Sequence, residues 1–333
     1  MSELATAVFA ANTDAHLIDA PRSRRFDLFR RGFDEAAFLR SLAERGLRWV
    51  ARSDPRFPAR LCTIHDPPAG LFVRGEASLS LLDGPAVAIV GARACSAYGS
   101  EVAAQLARTL TQAGAVVISG LARGIDAQAH RGALEAGPTV AVLGCGIDRD
   151  YPRAHATLAA EIAATGLIVS EYAPGVEPAP WRFPARNRIV AGLADATVVV
   201  EARERSGALI TADLALDEGR EVLAVPGEIT SQLSKGTNHL LRLGAVPVTC
   251  VGDVLAVLGL DPDFELHGGS SAALDPRLER VRVAVADGPV GADELARRVG
   301  LSAGDVAAAL AELELLGVVV QADGVFRETM RRG

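Results

Sequence analysis

The sequence predicts a mixed α/β fold with a mostly parallel sheet, and three observations lead to this class. Six short runs rich in Val, Ile and Ala alternate with Ala/Leu-rich stretches between residues 85 and 225. Each run ends in a turn that carries Gly or Ser, a residue type typical of strand ends. The runs are apolar on both faces, as in parallel strands that helices cover on both sides. Ligands of such folds bind at the carboxyl ends of the strands.

The composition supports a folded chain of two or three domains. The 333 residues are 49% hydrophobic and 23% charged, which excludes extended disorder. The four cysteines lie far apart and without zinc-ligand spacing, so neither a disulfide framework nor a structural metal is expected. No basic segment precedes an apolar one near the first residue, and no run of 18 apolar residues occurs. We therefore expect a cytoplasmic protein that does not cross a membrane.

The first 60 residues predict a small helical domain rich in arginine. Apolar residues recur at three- and four-residue steps, at Phe26, Phe29 and Phe33 and again around Phe38 and Leu42. Residues 20–60 carry eleven arginines against five acidic residues, whereas the whole chain has a net charge of −7. The local balance of +6 therefore contrasts with the acidic chain as a whole.

Three further segments follow along the chain. Residues 61–262 hold the predicted sheet, and residues 263–274 form a Pro/Gly/Ser-rich linker without periodicity. Residues 275–333 predict three helices and a hairpin that turns at Asp323-Gly324, which together make a winged helix. The third of these helices carries acidic residues and no Lys or Arg, so phosphate would repel it. We expect this module to contact protein or no partner, rather than duplex DNA.

The turn after the first predicted strand of the sheet favours an anion over a dinucleotide. A dinucleotide site needs Gly-x-Gly-x-x-Gly, but Arg93 stands at the second glycine position after Gly91. Lys235 is the single lysine of the chain, and a phosphate-binding Gly-Lys-Ser/Thr loop is absent. Arg93, the hydroxyl of Ser96 and the amides of the following helix suit a phosphate. We therefore expect no cofactor.

The second turn repeats this chemistry between residues 119 and 130. Gly120 and Gly124 permit a close backbone approach, and Arg123 supplies positive charge. Asp126 is expected to cap the next helix by accepting its early amides. We interpret His130, one turn further along, as a satisfied polar residue rather than a ligand-binding group.

A third element combines aromatic rings with arginines. Trp181 and Arg182 precede Phe183, and Arg186 and Arg188 follow within one predicted helix start. Flat rings for bases beside guanidiniums for phosphates are what single-stranded nucleic acid requires. The alternative, a basic helix start whose arginines pair with nearby acids, stays open. A fourth and weaker element places small hydroxyl residues at a helix start in residues 206–212.

Together these motifs resemble the DprA/Smf family of DNA-processing proteins. The resemblance covers about residues 50–250 and consists of nine motifs in the same order. They are Phe57-Pro58, Asp66-Pro67-Pro68, GxRxxSxYG at 91–99, SGxAxGIDAxAH at 119–130, Tyr151-Pro152, Ser170-Glu171, FPxRNR at 183–188, EAxxxSGxLxTA at 201–212, and Pro226-Gly227-Glu228 with Gly236-Thr237-Asn238.

The resemblance implies an extended Rossmann-like sheet, a small N-terminal helical domain that resembles a sterile alpha motif, and a C-terminal winged helix. It also implies a homodimer that binds single-stranded DNA, loads the RecA recombinase onto it in natural transformation, protects the incoming strand and meets single-strand binding protein. The DNA-binding residues that it implies are Arg93, Ser96, Tyr98, Gly99, Ser119, Gly120, Arg123, Gly124, Arg153, Phe183, Arg186, Asn187 and Arg188.

Two other functions compete with this one. The same sheet resembles nucleotide phosphoribohydrolases, but those need PGGxGTxxE, and the glutamate three residues after the Gly-Thr is missing here. Glu171 and Glu201 lie at strand ends and are the carboxylates that such an enzyme would use. A transcription factor is disfavoured by the acidic third helix of the winged module. We therefore expect a binding protein and no catalytic residues.

Overall fold

The computed structural model describes residues 2–13, 23–262, 264, 275–316, 318–322 and 324–328. The chain divides into two compact units, Met1–Pro262 and Asp263–Gly333. The linker expected at 263–274 lies outside the described residues except for Phe264. Of the helices that the structure describes, none is both long and apolar enough to cross a membrane.

A nine-stranded sheet forms the centre of the first unit. Its spatial order is β1-β2-β6-β5-β4-β3-β7-β8-β9. Neighbouring strands from β6 to β9 run parallel, whereas β1 and β2 pair with antiparallel registers at one edge. The strands are Leu47–Ala51 (β1), Gly70–Arg74 (β2), Ala86–Val90 (β3), Val116–Ser119 (β4), Thr139–Leu143 (β5), Leu167–Ser170 (β6), Ala196–Val199 (β7), Glu221–Ala224 (β8) and Val246–Pro247 (β9).

Helices cover both faces of this sheet, and two large apolar clusters lie between the layers. The strands are buried almost completely because both faces are covered, which explains why their sequences do not alternate between apolar and polar residues. The helices of this unit are Glu3–Thr13 (α1), Arg24–Gly32 (α2), Glu35–Glu44 (α3), Ala59–Cys62 (α4), Ala97–Gln112 (α5), Ile125–Leu134 (α6), Ala156–Thr165 (α7), Arg182–Leu193 (α8), Gly207–Asp217 (α9), Lys235–Arg242 (α10) and Val251–Val257 (α11).

The predicted α/β class with a mostly parallel sheet is confirmed. All six predicted runs are strands, β3 to β8. Three further strands, β1, β2 and β9, lie at the two edges of the sheet.

The first 60 residues differ from the separate helical domain that the sequence predicts. Helices α1 to α3 are present, but β1 pairs with β2 inside the large sheet. Leu4 and Val8 of α1 also share an apolar cluster with Phe72 of β2. The boundary expected at residue 60 therefore falls within a compact unit that ends at Pro262. Local helical periodicity cannot show this, because the partner of β1 lies about twenty residues further along the chain.

The second unit is a winged helix. Its helices are Pro276–Ala286 (α12), Ala292–Val299 (α13) and Ala303–Leu315 (α14), and its hairpin is Val319–Ala322 (β10) with Val325–Glu328 (β11). Leu310 and Phe326 belong to its apolar core, and Phe326 also forms a β-bridge with Val290. Gly324 adopts the positive φ of 79° that the predicted two-residue turn requires, whereas Asp323 lies outside the described residues.

The sheet topology creates a crevice at the carboxyl end of β3. The chain passes from β3 to β4 on one side, whereas β7 pairs with β3 on the other side. The connections that leave β3, β4 and β7 therefore diverge, and an open parallel sheet binds ligands at such a switch point.

His130 is a fully buried, satisfied residue that ties α6 to the sheet, as the sequence analysis favoured. Its Nε2 lies 2.6 Å from the carbonyl oxygen of Gly120, and its Nδ1 lies 2.9 Å from the hydroxyl of Thr139. A carbonyl can only accept, so Nε2 carries the proton and donates to Gly120. Burial lowers the pKa of His130 to about 4, which keeps the ring neutral.

We expect the fold to lose stability in mild acid because of this histidine. The unfolded chain, with a histidine pKa of about 6.5, binds more protons than the folded chain between that value and about 4. The free energy of unfolding should therefore fall as the pH falls through this window. His130→Gln retains an amide donor and does not titrate. Urea unfolding at about pH 7.5 and about pH 5 should show that the free energy of unfolding falls less in the variant than in the wild type. Equal losses would refute the assignment.

Candidate functional site

A cavity of about 340 Å³ opens at the crevice, and we call it the main cavity. The loops after β3, β4 and β7 line it together with the first turns of α8 and α9. A second cavity of about 200 Å³, the side cavity, shares Arg93, Ala122, Phe183 and Arg186 with it and extends towards Tyr151 and Pro152. The two cavities therefore form one continuous depression along the carboxyl edge of the sheet.

Exposed arginines surround this depression. Arg93, Arg203 and Arg205 line the main cavity, and Arg93 and Arg123 line the side cavity. All four are exposed. Asp126, which is buried, is the one acidic residue among the described residues that line either cavity. The depression therefore presents an excess of guanidinium groups to an incoming ligand, an arrangement suited to phosphate.

Two aromatic rings stand beside these charges. Tyr151 stacks on Phe183 with centroids 5.3 Å apart and an interplanar angle of 27°. The guanidinium carbon of Arg93 lies 5.8 Å from the centroid of Phe183, within cation–π range. Tyr151 is 43% exposed, so part of this stacked pair faces solvent. The depression thus offers a flat apolar face within reach of a positive charge.

Arg186 lines both cavities but is 7% exposed. Its guanidinium donates to the carbonyl of Val142, at the end of β5, and to the side chain of Asn187. Burial lowers the pKa of Arg186, and the nearby carboxylate of Asp126 opposes this effect. Arg186 therefore acts chiefly as the floor of the depression, with a small part of its surface open to it.

Asp126 lies beneath the loop that follows β4. Its Oδ2 accepts from the backbone amide of Ala122 at 3.3 Å, and burial raises the pKa of this carboxyl group. A Cβ added to Gly120 would lie 2.3 Å from that Oδ2 and 2.6 Å from a guanidinium nitrogen of Arg186. Gly120 is therefore required so that the acid and the arginine can pack below the loop. Asp126 therefore holds the loop and does not cap α6 as the sequence predicts, because the N-cap residue is Gly124 and no side chain caps it.

Gly124 brings the loops after β3 and β4 together. It adopts a φ of 77°, and an added Cβ would lie 2.1 Å from the carbonyl oxygen of Ala92. The amide of Ile125 donates to that same oxygen at 3.2 Å. This close approach places Arg93 and Arg123 on neighbouring loops, so the two predicted glycine turns form one rim.

Ser96 and Gly99 hold the loop after β3 against the end of β7. Ser96 caps α5 by accepting from the amide of Gly99 at 3.0 Å, and its hydroxyl donates to Glu201 at 2.6 Å. A Cβ on Gly99 would lie 2.4 Å from the carboxyl carbon of Glu201. Tyr98, 41% exposed, follows in the same helical turn but lines neither cavity. These contacts position the rim and leave Ser96 engaged inside the protein.

Of the remaining residues predicted to bind DNA, some support the fold and others lie at or near the cavities. Ser119 is fully buried and donates to the carbonyl of Ile89. Arg188 forms ion pairs with Asp66 at 2.9 Å and Glu171 at 2.6 Å, which raise its pKa. The alternative of an ion-paired helix start thus describes Arg188.

Asn187 lines the main cavity and donates to the carbonyl of Gly207 at 3.3 Å. Arg153 is exposed and directly follows Pro152, which lines the side cavity.

The sequence reasoning did not single out Arg203, Arg205 or Tyr151 as site residues. Arg203 and Arg205 lie three residues and one residue before Ser206, whose hydroxyl caps α9 by accepting from the amide of Ala208. Their position after a buried strand and before a capped helix start was a usable signal, because such segments meet at the carboxyl edge of a parallel sheet. Among the described residues, no group of three or more His, Cys, Asp or Glu could hold a metal ion.

Two family models match this chain. The family model described as DNA recombination-mediator protein A matches residues 48–259. The model described as the DprA winged helix domain matches residues 267–324.

Relatives of this chain come from several bacteria. It is 47% identical over 204 residues to the DNA processing protein DprA of Streptococcus pneumoniae, covering 61% of this chain and 71% of the relative. It is 41% identical over 316 residues to a DprA protein of Mycobacterium tuberculosis H37Rv that is named as putative, and the match covers 90% of this chain and 81% of the relative. It is 37% identical over 305 residues to protein Smf of Escherichia coli K12, covering 86% and 81%.

Two solved structures share the fold. DprA of S. pneumoniae has a TM-score of 0.65 at 39% identity and covers 79% of this chain and 93% of its own. DNA processing protein A of Helicobacter pylori, solved for its single-stranded DNA binding mode, has a TM-score of 0.57 at 33% identity and covers 63% and 95%. With both domains matched, the chain belongs to the DNA recombination-mediator protein A family, whose members carry the names DprA and Smf.

Proposed function

We propose that this protein binds single-stranded DNA in the depression formed by the main and side cavities, and that it loads the RecA recombinase onto that strand during natural transformation in the cytoplasm, protecting incoming DNA. The observation that carries the proposal is the combination of four exposed guanidiniums with a stacked aromatic pair whose Tyr151 is exposed. The single-stranded DNA binding mode described for the H. pylori protein supports it.

The arginines and the aromatic rings of the depression have different roles in this proposal. Arg93, Arg123, Arg203 and Arg205 would hold phosphates, and Tyr151 with Phe183 would offer a face to a base. A base can stack there only if it has left a duplex, so single strands are favoured. Phosphate contacts carry no sequence information, so the affinity should tolerate any sequence and fall steeply with salt.

The carboxylates near the depression do not form the pair that a hydrolase needs. Glu201 accepts from the amide and hydroxyl of Ser96, and Glu171 is paired with Arg188. Both are buried, and Asp126 is held by the loop above it. These engagements support a binding protein over a nucleotide phosphoribohydrolase.

A second copy of this chain would strengthen the binding. One strand that engages two depressions binds the second one intramolecularly, which multiplies affinity without new contacts per subunit. Ile210 and Leu216 of α9 are 42% and 54% exposed, and this helix is the surface that family resemblance suggests for the homodimer. RecA and single-strand binding protein are the protein partners of this proposal.

Anisotropy of a labelled oligo-dT tests the proposed function. We expect tight binding without ATP or a divalent metal, and competition by unlabelled single strands but not by a duplex of equal length. Binding should weaken steeply as salt increases, because each phosphate contact contributes about 0.7 to the slope of log K against log salt for single strands. Failure to bind at low salt would contradict the proposal, and hydrolysis of nucleoside monophosphates would then be the assay to run.

Neutralising the exposed rim tests the assignment of the depression. Arg93→Gln and Arg123→Gln should each weaken oligo-dT binding several-fold for every sequence and lower the salt slope by about 0.7. Arg131→Gln is the matched control, since Arg131 is exposed on α6, the helix that follows the loop of Arg123, but lines neither cavity. Unchanged affinity in both rim variants, with thermal unfolding as in the wild type, would refute the assignment. Arg186 is unsuitable for this test because its burial couples it to folding.

The winged helix should not be needed for single-strand binding. Asp305, Glu312 and Glu314 are exposed on α14, and the described part of this helix bears no basic side chain. Deletion of residues 270–333 should therefore leave the oligo-dT affinity within about twofold, because no phosphate contact is lost. Loss of binding by a deletion variant that still unfolds cooperatively would show that this module contributes to the DNA site.

A further inference from the structure

Helix α2 has a buried aromatic face and an exposed basic face. Phe26 and Phe29 pack on Phe9 of α1, with ring centroids 5.3 Å and 5.5 Å from it. On the opposite side, Arg24, Leu28 and Arg31 follow one another at steps of four and three residues, which places them on one outward face. Leu28 is 62% exposed. The helix is therefore fixed to the protein by its aromatic side and presents its arginines to solvent.

The guanidiniums of this helix have no partner within the described structure. Arg24, Arg25, Arg30 and Arg31 are all exposed, and none forms an ion pair or a side-chain hydrogen bond with another described residue. One acidic residue, Asp27, accompanies these four arginines on the helix. Exposed arginines elsewhere do find acids: Arg56 pairs with Asp54 and Arg297 with Glu294. The residues that the structure describes therefore do not neutralise the net charge of +3 on these nine residues.

The position of α2 connects it to the depression. Nη2 of Arg182, at the start of α8, donates to the carbonyl of Ala11 in α1 at 3.2 Å. Phe183 follows Arg182 directly, and Trp181 precedes it. The ring of Trp181 is 48% exposed and lies 4.8 Å from the guanidinium carbon of Arg182. An exposed ring thus adjoins Arg182, the residue that links the start of α8 to α1.

We propose that the basic face of α2 is a second contact site for the phosphate backbone of the single strand held in the depression, with Trp181 as a stacking surface between the two. The inference rests on the proposed function and extends its footprint. The face carries the charge that phosphates need, and it lies beyond one intervening helix, at about two helix diameters or ~20 Å from Arg182. Only strands long enough to cross this distance reach it.

The experiment compares two strand lengths and two double variants of the full chain. Arg24→Gln with Arg31→Gln removes the outward pair of charges, and Arg131→Gln with Arg242→Gln removes two exposed charges that lie off both sites. Anisotropy is measured across a salt series with labelled oligo-dT of about 4 and about 20 nucleotides, of which the shorter cannot fill the depression and also cross this distance.

The α2 pair should affect only the long strand. In this variant the affinity for the long strand should fall about tenfold, and the slope of log K against log salt should fall by about 1.4, since two phosphate contacts are lost. Affinity for the short strand, and both affinities of the control pair, should stay as in the wild type.

An unchanged affinity for the long strand in the α2 variant would overturn the inference and leave the proposed function standing. The same holds if wild-type protein binds both lengths equally well. If the α2 variant loses affinity for vesicles with anionic headgroups but keeps its affinity for the long strand, the face binds a membrane surface and the inference is wrong. If wild-type protein binds neither strand, the proposed function itself fails.

Discussion

The candidate site depends on a buried guanidinium beside a buried carboxylate. Arg186 and Asp126 meet beneath Gly120, where any side chain would clash with both. Burying a charge costs several kcal/mol unless partners compensate it. Here the carbonyl of Val142 and the amide of Ala122 provide them. These contacts join the ends of β4 and β5 to the start of α8. The rim can therefore be rigid before any ligand arrives, and less ordering is required on binding.

The burial of each side chain distinguishes residues that support the loops from residues that face the depression, although both kinds occur in the same sequence motifs. Within FPxRNR, Phe183 faces the depression, whereas Arg188 is ion-paired below it. The exposed positive charge comes instead from arginines in turns, such as Arg93 and Arg123, which form no ion pair with another described residue. A buried arginine holds the loops in place, and an exposed one is left to attract an anion. The same distinction explains why the unpaired arginines of α2 invite a partner while those paired with acids elsewhere do not.

The sequence predicted the strands of the sheet and the loops that form the site, because buried parallel strands are continuous apolar runs and their turns need glycine. It missed the pairing of β1 with β2, which is a long-range contact without a local pattern. Residue type alone does not show whether a hydroxyl or guanidinium is already engaged within the fold. For this reason Ser96, Ser119 and Arg188 were expected to bind DNA in the same way as Arg93. Arg203 and Arg205 were overlooked because they belong to no glycine turn, although they precede a capped helix start.

The most direct test asks which guanidiniums the strand covers. An arginine-selective dicarbonyl reagent, applied with and without oligo-dT and mapped by mass spectrometry, reports each side chain separately. The account predicts that DNA protects the exposed rim residues Arg93, Arg123, Arg203 and Arg205, that Arg131 reacts equally in both states, and that buried Arg186 reacts in neither. Equal modification of the four rim arginines with and without DNA would contradict it.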